Sequence, residues 1–271
     1  MAIKATIVED SVTSLGHRLT TVQLQFHRFI LSEFNTHRVF SRNASSSRAI
    51  PVAKMIAQVV NDPAIPVSWG KNQKGMQANE ELSDEQKAEA LRLWLEARDN
   101  AVKSATLLGE LGLHKQITNR LLEPWMWTHV VLTSTEWDNF FGLRCHKDAM
   151  PEMQTLAYAI REAMEKSTPT PCLTEWHLPY VQQNERRELD LNTQIKCSVA
   201  RCARVSYVNH DGTSPNVEKD MELYDRLVGG EPMHASPIEH QACPNQGMWS
   251  GNFFGWEQFR KTVERGARME F

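Results

Sequence analysis

The sequence predicts an α+β fold: a small mixed or antiparallel sheet with flanking helices. Helix-period segments dominate, the few strand-like runs lie far apart in the chain, and no βαβ rhythm or repeat period joins them. At 271 residues the chain is long enough to bury one sizeable core. No linker-like tract divides residues 1–271, so a single domain is expected.

Residues 18–26 (RLTTVQLQF) alternate and are β-branched, which predicts a strand. Residues 28–38 carry Phe29, Ile30, Leu31 and Phe34 and suit a short helix, and the serine-rich run 41–48 reads as a loop because Ser and Asn favour turns and caps. Residues 63–82 look like a surface connection. A helix begins after Ser83, an N-cap residue followed by Glu85 and Gln86, and runs to about Leu108. A short helix over 114–122 stops at Pro124. The aromatic, β-branched run 125–134 predicts a second strand, 135–144 a helical turn, and Pro151 opens a helix with Met153, Leu156, Ala157, Ile160 and Met164 on one face. Prolines punctuate 168–179. Helices are expected over 193–205 and 217–227, a turn leading into a strand over 234–243, and a final helix over 253–265.

Composition narrows the function. Thirty Lys+Arg against 33 Asp+Glu leave a net charge of -3, which argues against a nonspecific nucleic-acid binder. No run approaches the ~20 apolar residues of a membrane helix, and the N-terminus lacks a signal-like apolar region. The five cysteines form no C-x-x-C pair and read as free thiols in a cytoplasmic protein. There is no G-x-S-x-G, P-loop, G-x-G-x-x-G or H-E-x-x-H motif, and no metal is expected.

Three clusters carry chemistry. Residues 36–49 (THRVFSRNASSSRA) deliver three arginines, His37, Asn43 and four serines from a helix end into a loop. This suits a phosphate or polyanionic cofactor, because each guanidinium offers a fixed fork of donors. A solvated serine-rich loop is the competing reading; a basic RNA-binding segment fits less well, for want of interleaved aromatics. The second cluster sets Arg120 before a strand and Arg144 at the end of a helical turn. They could converge on one anion or only complement helix ends. The third is Cys202-Ala203-Arg204-Val205-Ser206-Tyr207 with His234-Ala235-Ser236-Pro237-Ile238-Glu239-His240. Trp94, Trp125, Trp127 and Trp137 read as core.

Together these clusters resemble the flavin-dependent thymidylate synthases. That family's R-H-R signature, followed by S, N, S and R, keeps its rhythm in His37-Arg38-x-x-Ser41-x-Asn43-x-x-Ser46-x-Arg48. Arg120-x-x-x-Pro124 and Asn139 to Arg144, then Glu152, are similar to its nucleotide-binding region. Ala203-Arg204-Val205-Ser206 and His234-x-Ser236-Pro237-x-Glu239-His240 resemble its A-R-V-S and H-x-S/T-P-F-E-H motifs. The resemblance covers 18–50, 115–165 and 198–262. The last two motifs precede the R-H-R segment in the family and follow it here, which resembles a circular permutation. Trp256-Glu257-Gln258-Phe259-Arg260-Lys261 resembles a second copy of the start of the R-H-R helix. The family's first motif Arg is Thr36 here, and Ala44, Ala49 and Asp148 stand where the family has Glu, Tyr and His.

The resemblance implies reductive methylation of dUMP at C5, with methylenetetrahydrofolate, FAD and NADPH, in a homotetramer with shared active sites. Thr36 and Ala44 leave open another pyrimidine nucleotide, a hydroxymethylated product, or an inactive flavin- or nucleotide-binding relative. It implies that Ser46 and Arg144 are catalytic, and that Arg48, Arg120, Arg144, Ser47 and Gln258 bind the nucleotide. His37, Arg38, Val39, Asn139, Ser206, Ser236 and Glu239 are implied to hold the flavin.

Overall fold

The computed structural model describes residues 1–205 and 216–268. Strand β1 (Lys4–Val12) turns at Gly16, whose φ of 84° favours glycine, into β2 (Arg18–His27), and the two pair antiparallel. Sequence reasoning missed β1. Its Glu9 and Asp10 disguise a strand whose buried Asp10 is satisfied by Arg18 at 2.9 and 2.7 Å and by Thr20 at 3.1 Å.

Beyond β2 a 3-10 turn (Arg28–Ile30) runs into α1 (Leu31–Phe34), shorter than the helix expected over 28–38. The serine-rich run is not all loop: Ser41–Ala44 is strand β3, with a 3-10 turn at Ser47–Ala49 after it. Ser and Asn are weak strand formers, but pairing with a buried neighbour overrides local preference. Helix α2 (Val52–Asn61) follows, then α3 (Asp84–Glu110), which opens on the expected Ser83 capping box with Gln86. The 114–122 helix shrinks to α4 (Lys115–Thr118) and a 3-10 segment (Asn119–Trp125). Strand β4 (Trp127–Ser134), α5 (Asp138–Arg144) and α6 (Pro151–Glu165) stand where expected. A two-residue strand β5 (Thr170–Pro171), the unforeseen α7 (Gln183–Glu188), α8 (Leu191–Arg204) and α9 (Val217–Val228) come next.

The C-terminal part differs from expectation. Strand β6 (Ala242–Ser250) pairs antiparallel with β7 (Phe253–Gln258), and only then does α10 (Phe259–Arg268) begin. The start of the expected 253–265 helix is thus a strand. Phe253 and Trp256 are fully buried with Leu19, Cys172 and Ala242. Gly255, at φ 78°, lies so close to His17 that a Cβ would meet its ring at 2.5 Å.

The main sheet has the order β3-β4-β2-β1-β5, parallel only where β5 meets β1. One face presents Val22, Leu24, Phe26, Val130 and Leu132 to Met153, Leu156, Ala157 and Ile160 of α6, with Phe34, Phe40 and Phe140 at one end. The other face is threaded by polar groups. Ser11 Oγ lies 2.9 Å from His177 Nδ1, and Thr21 Oγ1 lies 2.7 Å from both His177 Nε2 and Thr133 Oγ1. Thr133 Oγ1 lies 2.8 Å from His240 Nδ1. All five residues are buried, and the hydrogen bonds between them offset their desolvation.

Helix α8 is tied to α9 by a buried ion network. Arg201 donates from Nε to Asp220 at 2.8 Å and, through both terminal nitrogens, to Glu185 at 2.5 and 2.6 Å, while Arg204 lies 2.7 Å from Asp220. Of α3 only Ala105 is buried, and Leu93 and Leu107 are exposed, as is Leu111 just beyond it. No helix among the described residues is long and apolar enough to cross a membrane. The five cysteines are free. Trp125, Trp127 and Trp137 are core, and Trp94 packs partly buried against it.

Candidate active site

The turn over residues 35–40 is fixed by its ends. Phe34 and Phe40 are buried, and the Phe140 ring of α5 lies between them at 6.3 and 5.2 Å. Arg42 holds the same turn by its backbone, donating to the carbonyl oxygens of His37 at 2.7 Å and Asn35 at 2.9 Å. Between these anchors His37 is buried and Thr36, Arg38 and Val39 are exposed. His37 packs edge-on against Phe140 at 4.9 Å, and its Nε2 accepts from Arg144 Nε at 2.9 Å. Burial, then the charges of Arg144 and Arg42, push the His37 imidazole down to about 4. The ring is therefore neutral at pH 7, protonated at Nδ1 and accepting at Nε2. Arg144 is held from its other side by Glu33.

These residues border a cleft of about 410 Å³. One wall is Thr36 to Val39; the other is α5 with Asp138, Asn139, Leu143 and Arg144; Trp249 closes it from β6. Val39, Leu143 and Trp249 are exposed apolar surface. Arg38 has no ion-pair partner among the described residues and Asn139 no hydrogen-bonded one through its side chain, so both are free to meet a ligand. The implied flavin-holding residues His37, Arg38, Val39 and Asn139 thus share one cleft. Glu136 and Asp138 also line the cleft, so its positive charge is local to the two guanidiniums; an apolar aromatic wall beside the unpaired Arg38 fits a planar ring carrying phosphate, so these residues fit a flavin nucleotide.

A second group lies beyond β3, whose four residues span about 13 Å. Ser45 is pinned to β4 through the His129 carbonyl at 2.8 Å. Ser47 Oγ donates to Glu123 at 2.6 Å, and the Ser47 and Ile50 carbonyls accept from Asn119 at 2.8 Å each. Glu123 also takes Arg120 at 2.7 Å and Arg28 at 3.4 Å, so one carboxylate orients two guanidiniums and a serine. Ser46 is held between the pinned serines, half-buried, and its hydroxyl has no partner among the described residues. Arg48 is exposed and unpaired among them. Ser46, Arg48 and Arg120 thus offer a basic, hydroxyl-bearing surface, with Ser47 buried and its hydroxyl held by Glu123, whereas the contacts of Arg144 lie with His37 and Glu33 on the cleft side.

The C-terminal segments close over this loop. Gln258 is buried, and its Nε2 faces Asn252 Oδ1 at 2.8 Å and Ser41 Oγ and the Glu239 carbonyl at 3.2 Å each. That amide nitrogen therefore ties three segments together. Asn252 donates to the Val39 carbonyl at 2.9 Å, and Asn43 to the Cys202 carbonyl at 3.3 Å. Glu239 pairs with Arg260 and lies near enough to Arg42 to offset part of the burial cost of that guanidinium. Ser236 opens a 3-10 turn (Ser236–Glu239) and is exposed. Ser206 lies outside the described residues. Arg42 belongs to the arginine cluster read in the sequence, but its bonds to the turn carbonyls were not foreseen; the roles of Glu33, Glu123, Asn119 and Trp249 arise from partners distant in the chain, and no local spacing signals them.

A family model for thymidylate synthase complementing protein matches residues 3–170, and the chain belongs to that family, a thymidylate synthase-like group of enzymes that is flavin-dependent in general. Two solved structures share the fold: a UMP/dUMP methylase, PolB, from Streptomyces cacaoi, bound with 5-Br dUMP or with 5-Br UMP. The first is 15% identical over 61% of this chain and 90% of that one, with a TM-score of 0.52. The second is 17% identical over 61% and 89%, with a TM-score of 0.51. No curated protein sequence matches the chain.

Proposed function

We propose that the protein is a flavin-dependent thymidylate synthase that methylates dUMP reductively at C5, taking its carbon from methylenetetrahydrofolate and its electrons from NADPH. The observation that carries this reading is the pairing of two sites across β3: the cleft where Arg38 and Asn139 meet the apolar surface of Val39, Leu143 and Trp249 beside buried His37, and the basic surface of Ser46, Arg48 and Arg120, where Glu123 holds buried Ser47. A bound flavin supplies the hydride transfer, which the side chains themselves cannot perform. The chain's own residues bind and orient. Arg38 and Asn139 take the flavin, with Ser206, Ser236 and Glu239 assigned to it from the C-terminal motifs. Arg48 and Arg120 take the nucleotide phosphate, a dianion suited to convergent charge-assisted bonds, with Ser47 and Gln258 in support. Ser46 is assigned to the pyrimidine ring, and Arg144, oriented by neutral His37, to the base. Burial pushes the Cys172 thiol up to about 12 and Cys202 higher, which disfavours a thiolate nucleophile.

Contacts from Gln258, Asn252 and Asn43 support reading the three motif segments as one domain and their order as a circular permutation. The exposed leucines of α3 support a homotetramer that buries them. Free thiols support a cytoplasmic setting. A second reading, another pyrimidine nucleotide or a hydroxymethyl product, is favoured by Thr36 and Ala44 at family positions. The relative's ligands, 5-Br dUMP and 5-Br UMP, support testing the ribonucleotide too.

The test is release of tritium from C5-labelled dUMP, UMP and dCMP with FAD, NADPH and methylenetetrahydrofolate. Release from dUMP with dTMP formed supports the first reading. Turnover of another nucleotide but not dUMP selects the second. No release from any of them, with no FAD uptake, overturns both.

A further inference from the structure

We propose that Trp249 is the stacking wall of the Arg38 cleft, so that the C-terminal hairpin supplies a binding residue to a site otherwise built from residues 36–39 and 136–144. The inference rests on the flavin reading above and names the chain's own contact with the planar ring. Among the described residues, Trp249 is the one lining residue from outside those two segments. Its side chain is 61% exposed, whereas Trp256 in the same hairpin is fully buried. With exposed Val39 and Leu143 it makes an apolar patch around the cleft, and such patches mark binding surfaces. The indole N–H has no partner among the described residues.

The mount is rigid. The Phe254 ring backs the indole at 5.3 Å, and the Phe254 amide donates to Thr135 Oγ1 at 3.1 Å. The neighbouring Phe253 is fully buried. Asn252 binds the Val39 carbonyl, which fastens the hairpin to the turn that carries Arg38. Indole and guanidinium are therefore held in one frame before any ligand arrives, so little ordering entropy is lost on binding. An indole face against a flat heteroaromatic, with Arg38 free for a phosphate, gives the cleft both halves of a nucleotide-cofactor contact. The ligand class is a planar heteroaromatic ring with a phosphate tail.

The experiment compares wild type, Trp249→Ala and Trp249→Phe by FAD titration, followed by absorbance and by flavin emission; melting curves verify that all three fold. An indole stacked on the ring quenches flavin emission. Wild type should bind FAD with emission quenched, and W249A should bind about tenfold more weakly, in line with the loss of one aromatic stack. W249F should keep affinity within about threefold, since a ring still stacks, yet recover emission. W249A binding as tightly as wild type, with the same quenching, overturns the inference alone. Wild-type protein that takes up no FAD overturns the flavin reading and this inference with it.

Discussion

Replacing Asp220 by Asn tests what holds the end of α8. Asp220 is fully buried and faces two guanidiniums, Arg201 at 2.8 Å and Arg204 at 2.7 Å. Asn keeps the shape but removes the charge, leaving two cations with less compensation in a low-dielectric place. Breaking a buried pair costs about 3–5 kcal/mol. Arg201 keeps its two bonds to Glu185, which place the loss near the lower end, about 3 kcal/mol. At about 2–4 °C per kcal/mol for a domain of this size, the melting temperature should fall by about 6–12 °C. Differential scanning calorimetry of D220N measures this, and a double-mutant cycle with Arg204→Met isolates the pair. A drop of less than about 2 °C, or independent effects of the two substitutions, would refute the argument. Arg204 belongs to the A-R-V-S motif, and here that arginine is a structural partner of a buried carboxylate.

Arg38→Ala should weaken FAD binding at least about tenfold with little change in nucleotide affinity, and Arg48→Ala should do the reverse; titration of each variant with both ligands measures the split. Neither exposed arginine should alter the melting temperature by more than a degree or two. Stability should fall as the medium is acidified. Burial pushes His27 down to about 4 and His240 to about 3, so below their ordinary value near 6.5 the unfolded chain binds protons that the folded chain refuses. Each ring then removes about 1.4 kcal/mol per pH unit until its folded value is reached. His37 and His177 are pushed down too, while Glu9, raised by burial to about 7, acts in the opposite direction over the same range, so urea denaturation from pH 7 to pH 5 should show a net loss of stability, and a flat profile would contradict it. Gly255→Ala should be severely destabilising: its φ is 78° and the new methyl would meet the His17 ring at 2.5 Å, so the variant should be found largely insoluble or melt far below wild type.

The helices were legible where period and caps agree, as in α3 after Ser83 and α6 after Pro151. Strands β2 and β4 announce themselves by alternation and β-branching. Two of the failures, β3 and β7, share one cause, that pairing across the chain overrode local preference. Ser41–Ala44 is a strand because β4 offers it an edge, and β7 is a strand because Phe253 and Trp256 bury against the first hairpin. The site divides the same way. His37 and Arg38 announce themselves by charge and spacing. Glu123 does not, since a lone carboxylate before a proline says nothing of the arginines and serine it gathers. Nor does Trp249, whose exposure is a property of the folded surface.

The bond between Gln258 and Ser41 joins residues 217 positions apart. On a ribosome the signature loop must wait for its clasp until some 217 further residues have been made. Until then β1, β2 and β4 can pair and bury their apolar face, while the Arg38 turn lacks the Asn252 tether and its Trp249 wall. Contacts of such long range form late, because loop closure opposes them until the local structure is in place. Synthesis therefore delivers the paired sheet first and the completed Arg38 cleft only after the C-terminal hairpin.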